Sequence, residues 1–415
     1  MKNKKIFIGL TDIASQIADF AAGFQALGYQ TMTAIHHKHA SFVKAEADYD
    51  FSQMKKYWFG GVRPKSLQKK LQNRWLEPRD RIFRKAIKEC DIFVFMWSTF
   101  MPDLNDLELL KKLGKKIVVF FVGSDIRKKD AYEQEAKLYD IPSYFSFLTD
   151  GELKWANSND KLKYMRVFEK YADVIISVPN QSQLALRPYE HFFVPVNIDE
   201  IQENTDQREV PIITHAPSNR GVKGTSIILD TLNQLKNEGL NFELCLVENM
   251  AYRDALKTYT KSDVVIGELF LPSGGKLDRE ALAAGAISMT SLRKDYIDYL
   301  PEDCPIIDIN PTTLYDLLKE TINDHTKRKA LAKEGRPYVE KYHTPISICK
   351  SVLDYLSIEN SLEHTHTYNP TFFRDTFTPA SEEDTNTYNQ WTAYVKNCDW
   401  YKKHVLSGNR DGLVF

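Results

Sequence analysis

Long apolar runs are missing from this 415-residue chain. No stretch approaches the roughly 18 consecutive apolar residues that a membrane-crossing helix needs. The opening MKNKKIFIGL reads as a strand and not a secretion signal, because Thr11 and Asp12 interrupt its apolar run. Cysteine is sparse as well. Five are scattered at Cys90, Cys245, Cys304, Cys349 and Cys398 without CxxC spacing. That pattern argues against a disulfide framework and a zinc cluster, and for a cytoplasmic location with reduced thiols. Strong charge of one sign is also absent, the net charge being −1. With 43% hydrophobic and 27% charged residues, the composition suits a globular protein of two to three domains with substantial cores.

One region departs from that balance. Between Phe51 and Cys90 twelve Lys/Arg face three acids, a local balance of +9, with Tyr57, Trp58, Phe59, Trp75 and Phe83 interleaved. Such a stretch rests on an anionic membrane, draws in a phosphate-bearing acceptor, or is a solvated helical face with a few core aromatics. No nucleic-acid motif accompanies it.

Continuous apolar strands alternate with helical stretches along the chain. Strands are expected at Lys5–Gly9, Thr31–Ile35, Asp91–Trp97, Lys116–Val122, Val174–Val178 and Phe192–Pro195. Helices are expected through Ile13–Leu27, Leu107–Leu113 and Tyr164–Ala172. A second series follows, with strands at 212–214, Phe242–Val247, Val264–Ile266, Ala286–Thr290 and Ile306–Ile309. Apolar strands without alternation belong to parallel sheets covered on both faces, so an α/β fold of two Rossmann-like, doubly wound domains is expected. Helices over Thr312–Asn323 and Lys327–Tyr342 close the series.

Two segments carry chemistry. His215–Thr225, HAPSNRGVKGT, closes a strand and sets Arg220 and Lys223 at a helix start, where unpaired N–H groups already favour negative charge. Leu271–Ala286, LPSGGKLDREALAAGA, offers a small loop, Ser273, Gly274 and Gly275, whose amides can approach a phosphate. Lys276 adds a third cation or is solvated, and Glu280 lies one turn into the helix, within reach of a sugar hydroxyl. Two such half-sites suit a diphosphate with a sugar beside it. Each segment alone would be an ordinary βα turn.

Together they resemble the family 4 retaining glycosyltransferases of the GT-B type, over about residues 1–357. The resemblance implies a GT-B fold, two Rossmann-like domains facing a cleft, and a reaction that takes a nucleotide-sugar as substrate. It needs no cofactor and no metal, with UDP- or GDP-sugar as donor. It implies an acceptor-binding domain over 1–200 and a nucleotide-sugar-binding domain over 201–342. A helix over 343–358 would cross back to the first domain, leaving an aromatic-rich extension over 359–415. Val194–Asp199 resembles the interdomain hinge. Arg220 and Lys223 would hold the leaving diphosphate, and Glu280 the ribose. Glu248 and Asn249, after the Phe242–Val247 strand, would lie by the nucleobase.

The family's earlier glutamate, eight positions before Glu280, is replaced by Pro272. Backbone amides of Ser273–Lys276 are expected to serve the donor sugar instead. In the first domain, Thr11, Asp12 and Trp97 end strands on the cleft side. Asp125 and Arg127 in FVGSDIR orient the acceptor or pair with each other. No general base stands out, which fits front-side retention, and an inverting enzyme would use Asp12 or Asp125. His36, His37 and His39 form a polar loop and no metal site. The implied partners are a nucleotide-sugar, a glycan or lipid-linked acceptor, and an anionic membrane surface through residues 51–90, but no nucleic acid. The setting would be bacterial surface-polysaccharide assembly on the cytoplasmic side. The alternatives are an inactive GT-B subunit, for which Pro272 speaks, and a nucleotide-sugar 2-epimerase. The 359–415 tail is expected to pack on the first domain, its aromatics being too apolar for a free linker.

Overall fold

The computed structural model describes residues 4–13, 15–38, 47–51, 79–138, 143–158, 160–178, 180–182, 185, 189–357 and 367–368. In the first domain the strands are β1 (Lys5–Asp12), β2 (Gln30–Ile35), β3 (His37–Lys38), β4 (Tyr49–Asp50), β5 (Ile92–Met96), β6 (Lys116–Phe120), β7 (Val174–Ser177) and β8 (Tyr189–His191). They form a parallel sheet in the order β8-β7-β6-β5-β1-β2-β4, with β3 paired to the end of β1. From the tail, β14 (Thr367–Tyr368) adds an antiparallel strand beside β8.

Both faces of this sheet are buried, and the pleat divides its side chains. Ile6, Ile8, Val94 and Phe120 face the helix Gln16–Ala26, while Phe7, Phe93, Phe95 and Val119 pack on the other side with Leu107, Leu110 and Phe168. The helix over residues 79–89 puts Phe83 and Ala86 into this second core and leaves Arg84, Lys85 and Lys88 exposed. In this part of the basic stretch a solvated face and a core aromatic coexist. Residues 52–78 of the stretch, and His39, lie outside the described residues.

The second sheet contains β9 (Ile212–His215), β10 (Glu243–Leu246), β11 (Val264–Ile266), β12 (Ile287–Thr290) and β13 (Ile307–Asp308), all parallel, in the order β10-β9-β11-β12-β13. Sequential strands therefore leave β9 in one direction and β11 onward in the other. The first sheet reverses likewise between β1 and β5. Parallel sheets bind ligands outside the carboxyl ends of their strands at such reversals.

The helix Pro345–Ser357 returns from the second domain to lie on Gln16–Ala26. Gly23 makes that approach possible, because a Cβ there would sit 2.3 Å from the Pro345 carbonyl oxygen. The strand expected at Phe192–Pro195 is displaced to Tyr189–His191. Phe192 N–H still donates to Ser177 O, but the next amide with a long-range partner, Val196 N–H, bonds to His343 O. The backbone has by then turned from the sheet to the junction between domains. Among the described residues no helix is long and apolar enough to cross a membrane.

Candidate active site

The carboxyl ends of the two sheets border an open cleft of about 250 Å³. Its second-domain wall is formed by Glu268, Leu271 and Ser273 to Lys276, with Tyr296. Facing these are Ile13, Gln16, Val122, Arg127, Gln181 and neighbours from the first domain.

Beneath the second-domain wall, His215 at the end of β9 is fully buried. Its Nδ1 lies 2.9 Å from Ile266 O of β11 and its Nε2 2.9 Å from Thr225 Oγ1 at the start of the helix Thr225–Asn237. Burial holds its pKa down to about 4. The neutral ring therefore donates to the carbonyl and accepts from the hydroxyl, tying the sheet reversal to the helix.

Arg220 and Lys223 occupy one helical turn, Arg220–Lys223, capped by Asn219 Oδ1, which accepts from Val222 N–H. Each ends on a carboxylate. Arg220 donates through Nε and Nη2 to both oxygens of Glu248 at 2.7 Å, which raises the guanidinium pKa and lowers that of the carboxyl. Lys223 Nζ lies 2.5 Å from Glu268 Oε1. The first pair is open to solvent, with side-chain exposures of 57% and 28%; the second is largely enclosed, at 11% and 13%.

The loop Ser273–Gly275 is held from below. Gly274 has φ +62°, and the Arg279 guanidinium approaches so closely that an added Cβ would force it to shift. Gly275 N–H donates to Asp278 Oδ2 at 2.5 Å, and Ser288 Oγ–H donates to Asp278 Oδ1 at 3.0 Å. Burial raises the Asp278 pKa. Lys276 opens the following helix and reaches across the domain boundary to Asp19 Oδ2 at 2.9 Å. Glu280 is buried and accepts from Tyr252 O–H at 2.5 Å. Asn249, exposed after β10, has φ +52°.

In the first domain the predicted residues separate into two groups. Thr11 and Ser98 hydroxyls meet at 2.8 Å across the β1/β5 reversal, beside half-buried Trp97. Asp12 is buried and accepts from Ile17 N–H in the first turn of Gln16–Ala26. None of Thr11, Asp12 and Trp97 lines the cleft; Arg127 does. Asp125 accepts from the amides of Val122, Gly123 and Ile126 at 2.7–3.1 Å and so shapes its own loop. Burial raises its pKa. It forms no ion pair with Arg127, whose guanidinium instead lies over the rings of Tyr144 (5.0 Å) and Tyr132 (5.8 Å).

Of the fourteen predicted site residues, then, Ser273, Gly274, Gly275, Lys276 and Arg127 line the cleft. Arg220, Lys223, Glu248, Asn249 and Glu280 do not line it, and Lys223 is tied to it through Glu268. Glu268 was missed. It stands two residues after the apolar β11, at the sheet reversal, and an acid in that position was a legible signal. Gln16 and Gln181, also missed, belong to no motif.

No family model and no curated protein matches this sequence. Solved structures do match in fold. HepE of Anabaena, in complex with UDP and glucose, is 12% identical with a TM-score of 0.51, covering 85% of this chain and 99% of its own. Sucrose-phosphate synthase of Thermosynechococcus elongatus is 11% identical with a TM-score of 0.54, covering 85% and 98%. An α-glucosyltransferase in complex with UDP and a 13-mer DNA containing a HMU base is 12% identical with a TM-score of 0.52, covering 86% and 100%. These are glycosyltransferases of the GT-B type, and the fold of this chain is GT-B.

Proposed function

We propose that the chain is a glycosyltransferase that moves a sugar from a UDP- or GDP-sugar to an acceptor hydroxyl with retention of configuration. The observation that carries this reading is one cleft bordered by the carboxyl ends of both sheets, with Arg220, Lys223 and the Ser273–Gly275 loop grouped on the second domain. It is supported by the fold neighbours, one of which holds UDP and glucose.

In this reading Arg220 and Lys223 stabilise the departing diphosphate, the kind of preorganised charge that usually dominates catalysis. The diphosphate takes over cations that now hold carboxylates. The Arg220–Glu248 pair is exposed, and solvent-screened pairs contribute little, so exchanging it costs little. Glu268, the carboxylate lining the cleft among the described residues, accepts from hydroxyls of the transferred sugar in place of the glutamate expected at Pro272. Glu280 and Tyr252 hold the ribose, and Glu248 and Asn249 border the base. Asp12 and Asp125 hold backbone N–H groups and do not line the cleft. In this reading the acceptor proton passes to the leaving phosphate oxygen, the front-side route to retention. The setting proposed is assembly of a bacterial surface glycan on the cytoplasmic side, on a glycan or lipid-linked acceptor, with residues 51–90 against the membrane and no metal in the step.

One observation favours a second reading. Arg220, Lys223 and Lys276 are all neutralised by the protein itself, as suits an inactive GT-B subunit. A thermal-shift screen against UDP-, GDP-, ADP- and CMP-sugars, with and without Mg²⁺, separates the two, since a ligand of the folded state stabilises it by mass action. A shift with one nucleotide series supports transfer. No shift with any series leaves the inactive subunit.

A further inference from the structure

Three polar side chains on the first-domain wall of the cleft carry buried atoms without a hydrogen-bond partner: Gln16 Oε1, Arg127 Nε and Gln181 Oε1. Gln16 is 5% exposed and Arg127 9%. Buried polar groups normally find partners, and an unmade bond at a charged group is costly, so unpartnered atoms along a cleft mark where a ligand's own polar atoms belong.

The chemistry of this wall is one-sided. Among the described residues Arg127 has no carboxylate partner, and Asp125, two residues away, gives its oxygens to loop amides. Arg127 Nη2 and Gln181 Nε2 converge over Gly123, where an added Cβ would lie 3.5 Å from each. Behind them Lys161 is buried, donating to Ser124 O and Arg127 O. Burial and then the Arg127 charge pull its pKa down to about 8, against a smaller opposing pull from Asp125. Donors that converge beside an unneutralised guanidinium match an oxyanion, which accepts from several N–H groups at once.

We propose that this wall is an acceptor subsite for a sugar bearing an anionic oxygen group, a phosphate or a carboxylate. Arg127 and Gln181 donate to the anion, and Gln16 Oε1 accepts from a neighbouring hydroxyl. The proposal rests on the glycosyltransferase reading and adds the class of acceptor. The diphosphate of the donor has its own cations on the opposite domain, Arg220 and Lys223, which leaves the Arg127 charge for the second substrate.

The test is calorimetric titration of the full chain, saturated with UDP, with glucose 6-phosphate, glucuronate and glucose as probes. Expected is binding of one or both anionic probes and none of glucose, the phosphate and carboxylate arms telling the two sources apart. Arg127→Gln should weaken the anionic probe by at least about tenfold, whereas Arg127→Lys, which keeps the charge, retains most of the affinity. UDP affinity serves as the check that each variant is folded. Equal binding of glucose, no binding of either anionic probe, or unchanged anion affinity in Arg127→Gln would overturn the subsite. So would loss of UDP affinity at an unchanged melting temperature in Arg127→Gln, which assigns the residue to the donor. If the wild-type chain binds no nucleotide, the transferase reading fails separately. The same titrations without UDP then decide whether an Arg127-dependent anion site exists.

Discussion

On the second-domain side of the cleft, Arg220 ends on Glu248, Lys223 on Glu268 and Lys276 on Asp19, whereas on the first-domain wall Arg127 ends on two tyrosine rings. Both sides are rich in cations, yet only one neutralises them. A carboxylate beside a cation keeps it in place without a ligand and has to be displaced when an anion arrives. Stacking a guanidinium on aromatic faces fixes its plane while leaving its charge available. The difference fits a donor side whose diphosphate brings enough charge to exchange partners, and an acceptor side that must hold a smaller anion.

The strongest way to break this comparison is to remove the paired cations. Arg220→Ala combined with Lys223→Ala is expected to lower kcat/KM for transfer by at least about 1,000-fold, or about 4 kcal/mol of transition-state stabilisation. The far-ultraviolet circular dichroism should stay unchanged. Unchanged turnover would remove both residues from the site.

Next comes the support under the paired wall. The buried His215 has a pKa of about 4 against an ordinary 6.5. The unfolded imidazole takes up a proton that the folded one refuses, so its contribution to stability is complete above pH 6.5 and is lost as the pH falls towards 4. The size is about 3 kcal/mol. Denaturant midpoints measured across that window should decline, and His215→Gln should flatten the decline. An equal slope in both proteins would place the titrating group elsewhere.

Glu268→Gln keeps a hydrogen-bond acceptor but drops the charge facing Lys223. Transfer is expected to fall by about 30-fold, near 2 kcal/mol, mostly in kcat. An effect confined to the nucleotide dissociation constant would make Glu268 a mere holder of Lys223. The smallest effect is predicted for Asp19→Asn. Freed of its cross-domain partner, Lys276 should attract the diphosphate better, tightening nucleotide binding by about threefold at low salt and less at high salt. Weaker binding would mean that Asp19 helps to build the site.

Much of this architecture was legible in the residues. Strands such as Ile92–Met96 and Val264–Ile266 are apolar without alternation because both sheet faces are covered, and that composition survives without any knowledge of the fold. The Ser273–Gly275 loop and the helix carrying Glu280 were visible for a similar reason, since a tight backbone approach restricts residue type. Side-chain partners were not visible. Lys276 finds Asp19 from 257 positions away in the chain, and no local pattern encodes that meeting. Asp125 in FVGSDIR was expected to orient the acceptor or to pair with Arg127, yet its oxygens hold Val122, Gly123 and Ile126. The end of β8 was misjudged because Phe192 and Phe193 are apolar enough for a strand but pack instead where the domains join. Beyond Thr367–Tyr368, residues 369–415 of the tail lie outside the described residues.

The most direct test is a calorimetric titration of UDP and GDP into the wild-type chain and into the Arg220→Ala/Lys223→Ala variant. Binding of one nucleotide to the wild type, weakened at least about 100-fold in the variant, is the predicted result. Equal affinity in both proteins, or no binding to either, would contradict a donor site built on those two cations.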